Sequence, residues 1–349
     1  MITVKDIARL CNVSPGTVSN IINGRPNVGE ETRERVLRVI QETGYQPNYF
    51  ASSMRKQSSR TIGIIVEDLK QFTTTPIVVT IMAYCEEMGY RTILLNLRMY
   101  DRWQDTWFQD EKMLESALIP ALKEITAIRV DGLIYVAGHG RTLSCFPEDF
   151  KIPTVIAYAA SENDRYPSIL IDDENGGYDM GKYLLSKGHT KISVIAGVPD
   201  NMHSDDRLAG FRRALSEAGV VYHPEWTFHG TWLRESGYLL AEKALGTGAT
   251  AIWCMNDQMA AGVYDYVYES GMVIGKDISI AGFDNMENAE YMYPRLTTNG
   301  LPLRRIGRRS AETMIHMLEE EGWRPEGMRT WIRCQMTEGN SVADIREKG

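Results

Sequence analysis

The chain has 349 residues, 43% apolar and 24% charged, with a net charge of −8. That is the composition of a globular protein long enough for a small head and a two-lobed core, and it excludes a disordered or collagen-like chain. The five cysteines (11, 85, 145, 254 and 334) are odd in number and far apart, with no CxxC pair or Cys/His cluster; this argues for reduced thiols and against a disulfide framework or a metal site. There is no N-terminal apolar signal segment and no apolar run of membrane-spanning length, so a cytoplasmic location away from membranes is expected.

The first 46 residues read as three short helices. Thr3 with Asp6 is an acidic form of the capping box that starts a helix. Ile7 and Leu10 then fall on one face, with Ala8 and Cys11 beside them. Ser14 can cap a second helix, and Pro15 suits its first position, where no amide donor is needed. Val18, Ile21 and Ile22 share a face of that helix. A third helix runs from about Glu30 to Thr43, carries Val36, Leu37 and Ile40 on one side, and stops at Gly44. Two helices with a tight turn, followed by a third, outline a helix-turn-helix DNA reader, although any small three-helix bundle shares the spacing. Charge separates the two. Residues 1–60 hold nine basic and five acidic residues, net +4, whereas the rest holds 29 basic and 41 acidic, net −12. A basic head on an acidic body is the asymmetry expected when only the head meets phosphate.

Residues 47–60 form a joint. Pro47 ends the preceding helix, Asn48 can cap a short new one, and the tail with its two Ser-Ser pairs is linker-like. The run from Val4 to Asn48 resembles the LacI/GalR family of repressors. It includes Asp6-Ile7-Ala8, Val13-Ser14, Thr17-Val18-Ser19, Ile22-Asn23-Gly24, Thr32-Arg33 and Gly44-Tyr45-Gln46-Pro47-Asn48. The likeness continues through Arg60-Thr61-Ile62-Gly63-Ile64-Ile65 and covers nearly the whole chain. It implies a dimer on double-stranded, pseudopalindromic operator DNA. It also implies a joint that turns helical on DNA and wedges an apolar side chain, here Met54, into the minor groove, with Ala51 and Arg55 beside it. Ser52 stands where the family commonly has arginine.

Beyond residue 60, apolar runs at 62–66, 92–95, 132–136, 154–157, 192–196, 249–254 and 278–281 alternate with amphipathic segments near 77–88, 111–127, 174–187, 206–218, 235–245, 257–270 and 303–320. Alternating βα units mean parallel sheets, and their number suits two. The resemblance implies two lobes like those of periplasmic binding proteins, crossed three times by the chain. The organisation expected is α/β: a helix-turn-helix head over 1–46, a hinge over 47–60 and a core over 61–349. Its N-lobe is expected at about 61–160 and 295–321, and its C-lobe at about 161–294 and 322–349. The final residues, 335–349, carry no apolar heptad, so a homodimer is expected and not a coiled-coil tetramer. Its interface is expected on the helix near 77–88, with Ile77, Ile81 and Tyr84 as a stripe.

Ligands of open α/β sheets bind beyond the carboxyl ends of strands. Arg207, Asn256 and Asp284 follow strand candidates there, and Trp232 sits in a nearby loop. Forked donors and acceptors match adjacent sugar hydroxyls, and a Trp face stacks on a pyranose ring. Arg207 could instead pair with Asp205, and Asp257 could be a helix cap. By the resemblance, Asp68, Phe72 and Thr73 line the opposite wall, with Thr73 and Thr74 where the family often has an aromatic pair. The loop Gly138-His139-Gly140-Arg141 lacks the third glycine of a dinucleotide fingerprint and reads as a cleft loop. No P-loop, GxSxG elbow or HExxH is present, and the six histidines are dispersed, so neither an enzyme nor a cofactor is expected. The reading is a repressor of carbohydrate-use genes with a sugar-like effector. A purine or nucleoside corepressor is the alternative, and a pure sugar-binding protein is opposed by the head.

The residues expected to meet DNA are Thr3, Ser14, Pro15, Gly16, Thr17, Ser19, Asn20, Asn23 and Arg33, besides those of the joint. In the family, base reading comes mainly from positions 15, 16 and 20. Neither proline nor glycine can make a bidentate base contact, whereas Asn20 can, with adenine as its favoured partner. Asn20→Ala is therefore expected to lose roughly 1–3 kcal/mol on the true operator and to relax preference at one base pair. Arg33→Ala should weaken all sequences alike. Binding-site selection that returns the same preference with Asn20→Ala would refute the assignment.

Overall fold

The computed structural model describes residues 2–22, 24–45, 58–103 and 110–346, and divides the chain into two compact units, Met1–Arg60 and Thr61–Gly349. In the first unit, α1 (Val4–Leu10), α2 (Pro15–Ile22) and α3 (Glu30–Thr43) pack around Ile7, Ala8, Cys11, Val18, Ile21, Val36 and Tyr45. The expected helices are all present. Leu10 and Leu37, however, are 62% and 48% exposed. The buried stripe of α1 is 7, 8 and 11, which turns position 10 outward. Gly44 ends α3 at φ 61°, a left-handed conformation in which any Cβ is strained.

The second unit begins with β1 (Thr61–Val66), α4 (Thr74–Glu87), β2 (Arg91–Asn96), α5 (Met99–Trp103), α6 (Glu111–Ile128) and β3 (Gly132–Val136). Short β4 (Thr142–Leu143) and β6 (Ala160–Ser161) flank β5 (Thr154–Ala157), and β7 (Ser168–Asp172) follows. Next come α7 (Asp173–Ser186), β8 (Ile192–Ala196), α8 (Met202–Glu217), β9 (Thr227–His229), α9 (Arg234–Gly246) and β10 (Ala251–Cys254). The unit continues with α10 (Asp257–Glu269), β11 (Ser279–Asp284), α11 (Glu287–Tyr291), β12 (Thr297–Gly300), α12 (Leu303–Glu319), β13 (Arg329–Arg333) and β14 (Gln335–Thr337). Among the described residues, no helix is long and apolar enough to cross a membrane.

Two six-stranded sheets result. The first runs β13-β7-β5-β3-β1-β2, all parallel; the second runs β14-β12-β11-β10-β8-β9, parallel except for β14 against β12. Each supports its own apolar core, one around Ile64, Ile134 and Val155, the other around Ile195, Ile252 and Ile280. The chain changes lobes three times, after Asp172, Gly300 and Arg333. Sheet membership puts the crossings elsewhere than the lobe boundaries expected at about 160, 294 and 321. Ser168–Asp172 pairs with β5 and β13 in the first sheet, and Thr297–Gly300 pairs with β11 in the second. Ile77 and Ile81, expected at a dimer interface, are core residues of the first lobe; the apolar side chains that α4 leaves exposed are Val79 and Met82.

Helices α7 and α8 approach almost to backbone contact. A Cβ on Gly177 would collide with the carbonyl of Arg207, and one on Gly210 with that of Glu174. This approach sets the N-terminus of α7 beside the first two turns of α8. Gly177→Ala must drive the helices apart, and overpacking of this kind costs about 1–3 kcal/mol. Gly246→Ala, at an open position of α9, is the control and should be neutral. Urea unfolding of both variants measures the difference; equal midpoints would contradict the close packing.

Candidate DNA-reading head and effector cleft

In the head, hydrogen bonds consume several of the expected DNA contacts. The Thr3 hydroxyl accepts from the Asp6 amide at 3.3 Å and donates to the Asp6 carboxylate at 2.6 Å. The Ser14 hydroxyl accepts from the Thr17 amide at 3.0 Å and lies 2.9 Å from the Thr17 hydroxyl. Ser14 is thus the expected cap, and it also engages Thr17. Pro15 and Gly16 are exposed at the start of α2, while Ser19 and Asn20 are half-buried on it. Arg33 donates to the carbonyl of Arg25 at 2.6 Å, tying the α2–α3 loop to α3. Asn23, Ala51, Met54 and Arg55 lie outside the described residues.

In the core, Arg207 is the centre of a buried charge cluster. Its Nε donates to Asp173 at 2.7 Å, its Nη1 donates to the Met255 carbonyl at 2.5 Å, and Asp284 lies 3.8 Å away. The guanidinium stacks 3.7 Å from the Phe283 ring centre and lies 5.9 Å from that of Trp232. Its partner is therefore Asp173, brought in by the α7–α8 contact, and not the neighbouring Asp205. Asn256, not Asp257, caps α10: its Oδ1 accepts from the Met259 amide at 2.8 Å, and its amide nitrogen donates to the Trp232 carbonyl at 2.8 Å. That bond braces Trp232 in a left-handed conformation, φ 68°, with its ring against Gly197. Asp257 instead pins the loop after β11, accepting from the Met286 amide at 2.8 Å and the Thr298 hydroxyl at 2.6 Å.

The carboxyls differ by environment. Burial would raise Asp173, but the Arg207 charge and His203 outweigh it and hold the group below its ordinary value. Burial dominates at Asp284, which is pushed well above the usual range despite Arg207. Burial also takes Asp257 up to about 7, against the Thr298 hydroxyl and the Met286 amide. Asp284 has only 6% of its side chain exposed and makes no side-chain hydrogen bond to the described residues. It lines a cavity of about 620 Å³ shared with Phe72, Pro76, Leu301 and Leu303.

The first lobe supplies the other wall. Asp68 accepts from the amides of Lys70 and Tyr100, both at 2.9 Å, and so braces the backbone after β1. Neither Asp68 nor Thr73 lines the cavity, but Thr73 is buried with its hydroxyl unpartnered. Phe72, 42% exposed, does line it. Sequence reasoning missed the fully buried Glu67, which accepts from the Tyr135 hydroxyl and the Gly138 amide, both at 2.5 Å, and pairs with Arg141 at 2.5 Å. His139, beside Tyr100 and Gln71, is lowered to about 3 by burial and then by the Arg141 charge. Asp173 and His203 were missed too. Asp173 lies just before the amphipathic segment expected at 174–187, with nothing local to mark it as a partner of Arg207, and His203 is one of six scattered histidines.

With this geometry in place, known proteins can be compared. Residues 3–48 match bacterial regulatory proteins of the lacI family, and residues 182–342 match a periplasmic binding protein-like domain. The HTH-type transcriptional repressor PurR of Vibrio parahaemolyticus serotype O3:K6 is 32% identical over 92% of this chain and 93% of its own. The chain belongs to the lacI family. It is a DNA-binding transcription repressor and not an enzyme, and members of its family bind operator DNA as dimers and answer to small-molecule effectors. The PurR of Vibrio campbellii is 31% identical over the same shares. Among solved structures, the lac repressor dimer bound to operator and the anti-inducer ONPF superposes with a TM-score of 0.80 at 25% identity, over 98% of this chain and 99% of that one. The CelR–cellobiose complex, at 23% identity and a TM-score of 0.62 over 98% of this chain and 100% of that one, shares the fold.

Arg207 is expected to be structural as well as functional. Arg207→Met leaves the ionised Asp173 buried without its cation, and losing one partner of such a pair costs about 3–5 kcal/mol. Asp257 has the opposite sign. Between its ordinary 3.8 and about 7, the folded state holds a proton that the unfolded chain lacks, so its contribution to stability rises as pH falls through that window. Asp257→Asn should flatten the gain in urea midpoint on going from about pH 8 to about pH 5; an unchanged slope would place the titration elsewhere.

Proposed function

We propose that the protein represses genes of carbohydrate use by binding a pseudopalindromic operator as a dimer, with a sugar-like effector in the cleft between its lobes. The observation that carries the effector class is Asp284. A buried carboxyl without a hydrogen bond, 3.8 Å from a guanidinium, faces a cavity of about 620 Å³. The Asp284 carboxyl offers a hydrogen-bonding site to a hydroxyl, while the Phe72 ring suits the apolar face of a sugar ring. In this reading Phe72 and Asp284, which line the cavity, touch the effector and Arg207 positions Asp284, whereas Trp232 and Thr73 do not line it. Asp68 and Asn256 hold the walls. At the DNA, Asn20 reads a base, Ser19 and Arg33 meet phosphate, and Met54 wedges the centre with Ala51 and Arg55 beside it. The dimer forms through the core lobes, and lobe closure biases the hinge. Coupling requires only that the effector favour one arrangement of the lobes.

A purine or nucleoside corepressor is the second reading, favoured by the relatives that carry the name PurR at 31–32% identity over 92% of the chain. Thermal-shift measurements with pentoses, hexoses and disaccharides against guanine, hypoxanthine and adenosine separate the two. A ligand at 100 times its Kd adds about 2.7 kcal/mol, a shift of roughly 5 °C or more. A sugar is expected to give that shift and Asp284→Asn to abolish it, with operator gel shifts retained. A shift by purines alone would replace the first reading with the second.

A further inference from the structure

The loop after β3 reaches from the first lobe to the second. The Gly140 amide donates to His203 Nε2 at 3.2 Å, and His203 Nδ1 lies 2.6 Å from Asp173 Oδ2. A backbone amide can only donate, so Nε2 is the acceptor and Nδ1 carries the proton that goes to Asp173. The loop is not free to follow the second lobe. Glu67, on its own lobe, holds the Gly138 amide at 2.5 Å and Arg141 at 2.5 Å, on either side of Gly140. Position 140 also has to be glycine, since a Cβ there would collide with the His203 ring. Asp173 in turn holds Arg207, and Arg207 stands beside Asp284. A continuous chain of polar contacts thus runs from the first lobe to the Asp284 carboxyl at the cavity.

We propose that His203 latches the two lobes together through its neutral, Nδ1-protonated form, positioning Asp173 and through it Arg207, and that protonation of His203 opens the latch. The charge surroundings decide which contact fails. From α7 Asp173 faces the ring; from the loop after β3, His139; from the turn after β5, Tyr158, 5.5 Å away between ring centres; on α8 itself, Asp206 and, through Asp173, Arg207. Asp173 stays ionised beside Arg207, so it accepts from Nδ1–H in either state of the ring. His139 adds no charge, because burial keeps it neutral. The Gly140 contact is the one lost: a second N–H on Nε2 meets the amide N–H, donor against donor. Histidine is the side chain whose charge changes between about pH 5 and 8. The latch therefore makes the proton a second effector, whichever ligand occupies the cleft.

Hydrogen exchange of the Gly140 amide reads the latch in the full-length protein without any ligand. Rates at about pH 8 and about pH 5.5 are divided by the intrinsic chemical rate at each pH. Wild type should lose protection by tenfold or more on acidification. His203→Gln can accept from Gly140 and donate to Asp173 without titrating, so it should stay protected at both values. His203→Ala should be unprotected at both. Equal pH dependence in wild type and His203→Gln would overturn the proposal, as would a protected Gly140 in His203→Ala or an unprotected one in His203→Gln at the higher pH. If His203→Ala fails to fold, the comparison of wild type with His203→Gln still decides.

Discussion

The ion pair between Arg207 and Asp173 is the contact around which the buried charge cluster of the core is organised. It exists only because α7 and α8 lie close enough for backbone to touch backbone, and that approach requires glycine at 177 and 210. A guanidinium so deeply buried needs its partners. Asp173, the Met255 carbonyl and the Phe283 ring supply them from three different elements. Asp284 is left as the member of the cluster with spare hydrogen-bonding capacity. The surplus acceptor thus follows from how the cation is held, and it faces the cavity.

The head shows the same economy. Helices this short depend on their caps, and the capping side chains Thr3 and Ser14 spend their hydroxyls within α1 and α2. Asn20, which makes no side-chain hydrogen bond to the described residues, keeps its whole donor and acceptor set. Direct base readout in general rests on side chains with free donors and acceptors, and phosphate contacts and DNA shape supply the rest of recognition.

The three helices of the head were legible because caps, a proline and a C-terminal glycine mark their ends. The alternating core was legible because buried parallel strands are nearly continuous apolar runs. Ser168–Asp172 escaped because it follows β6 after only a short connection, with a single 3-10 turn at Glu162–Asp164 and no amphipathic helix between to announce a new strand. Arg329–Arg333 escaped because it is an edge strand with a polar, exposed face, and Gln335–Thr337 because it is three residues long. The site was half legible. Strand ends pointed to Arg207, Asn256 and Asp284, which do lie around one cluster. Partners distant in sequence were not legible, since nothing local links Asp173 to Arg207 or Gly140 to His203. Asp68 and Asn256 spend their hydrogen bonds on backbone, a role that only their partners reveal.

The three crossings bear on the order in which the protein can be made. A ribosome releases the head before the core, and the described core of its three helices is drawn from residues 4–45. Neither sheet of the core can be finished so early. The first waits for β13 at residues 329–333 and the second for β14 at 335–337, so both sheets are completed within one short stretch, 329–337. During synthesis the DNA-reading end therefore stands folded while the part meant to control it is still open at two edges. A chain truncated near its end would keep its reader and lose both controlling lobes together.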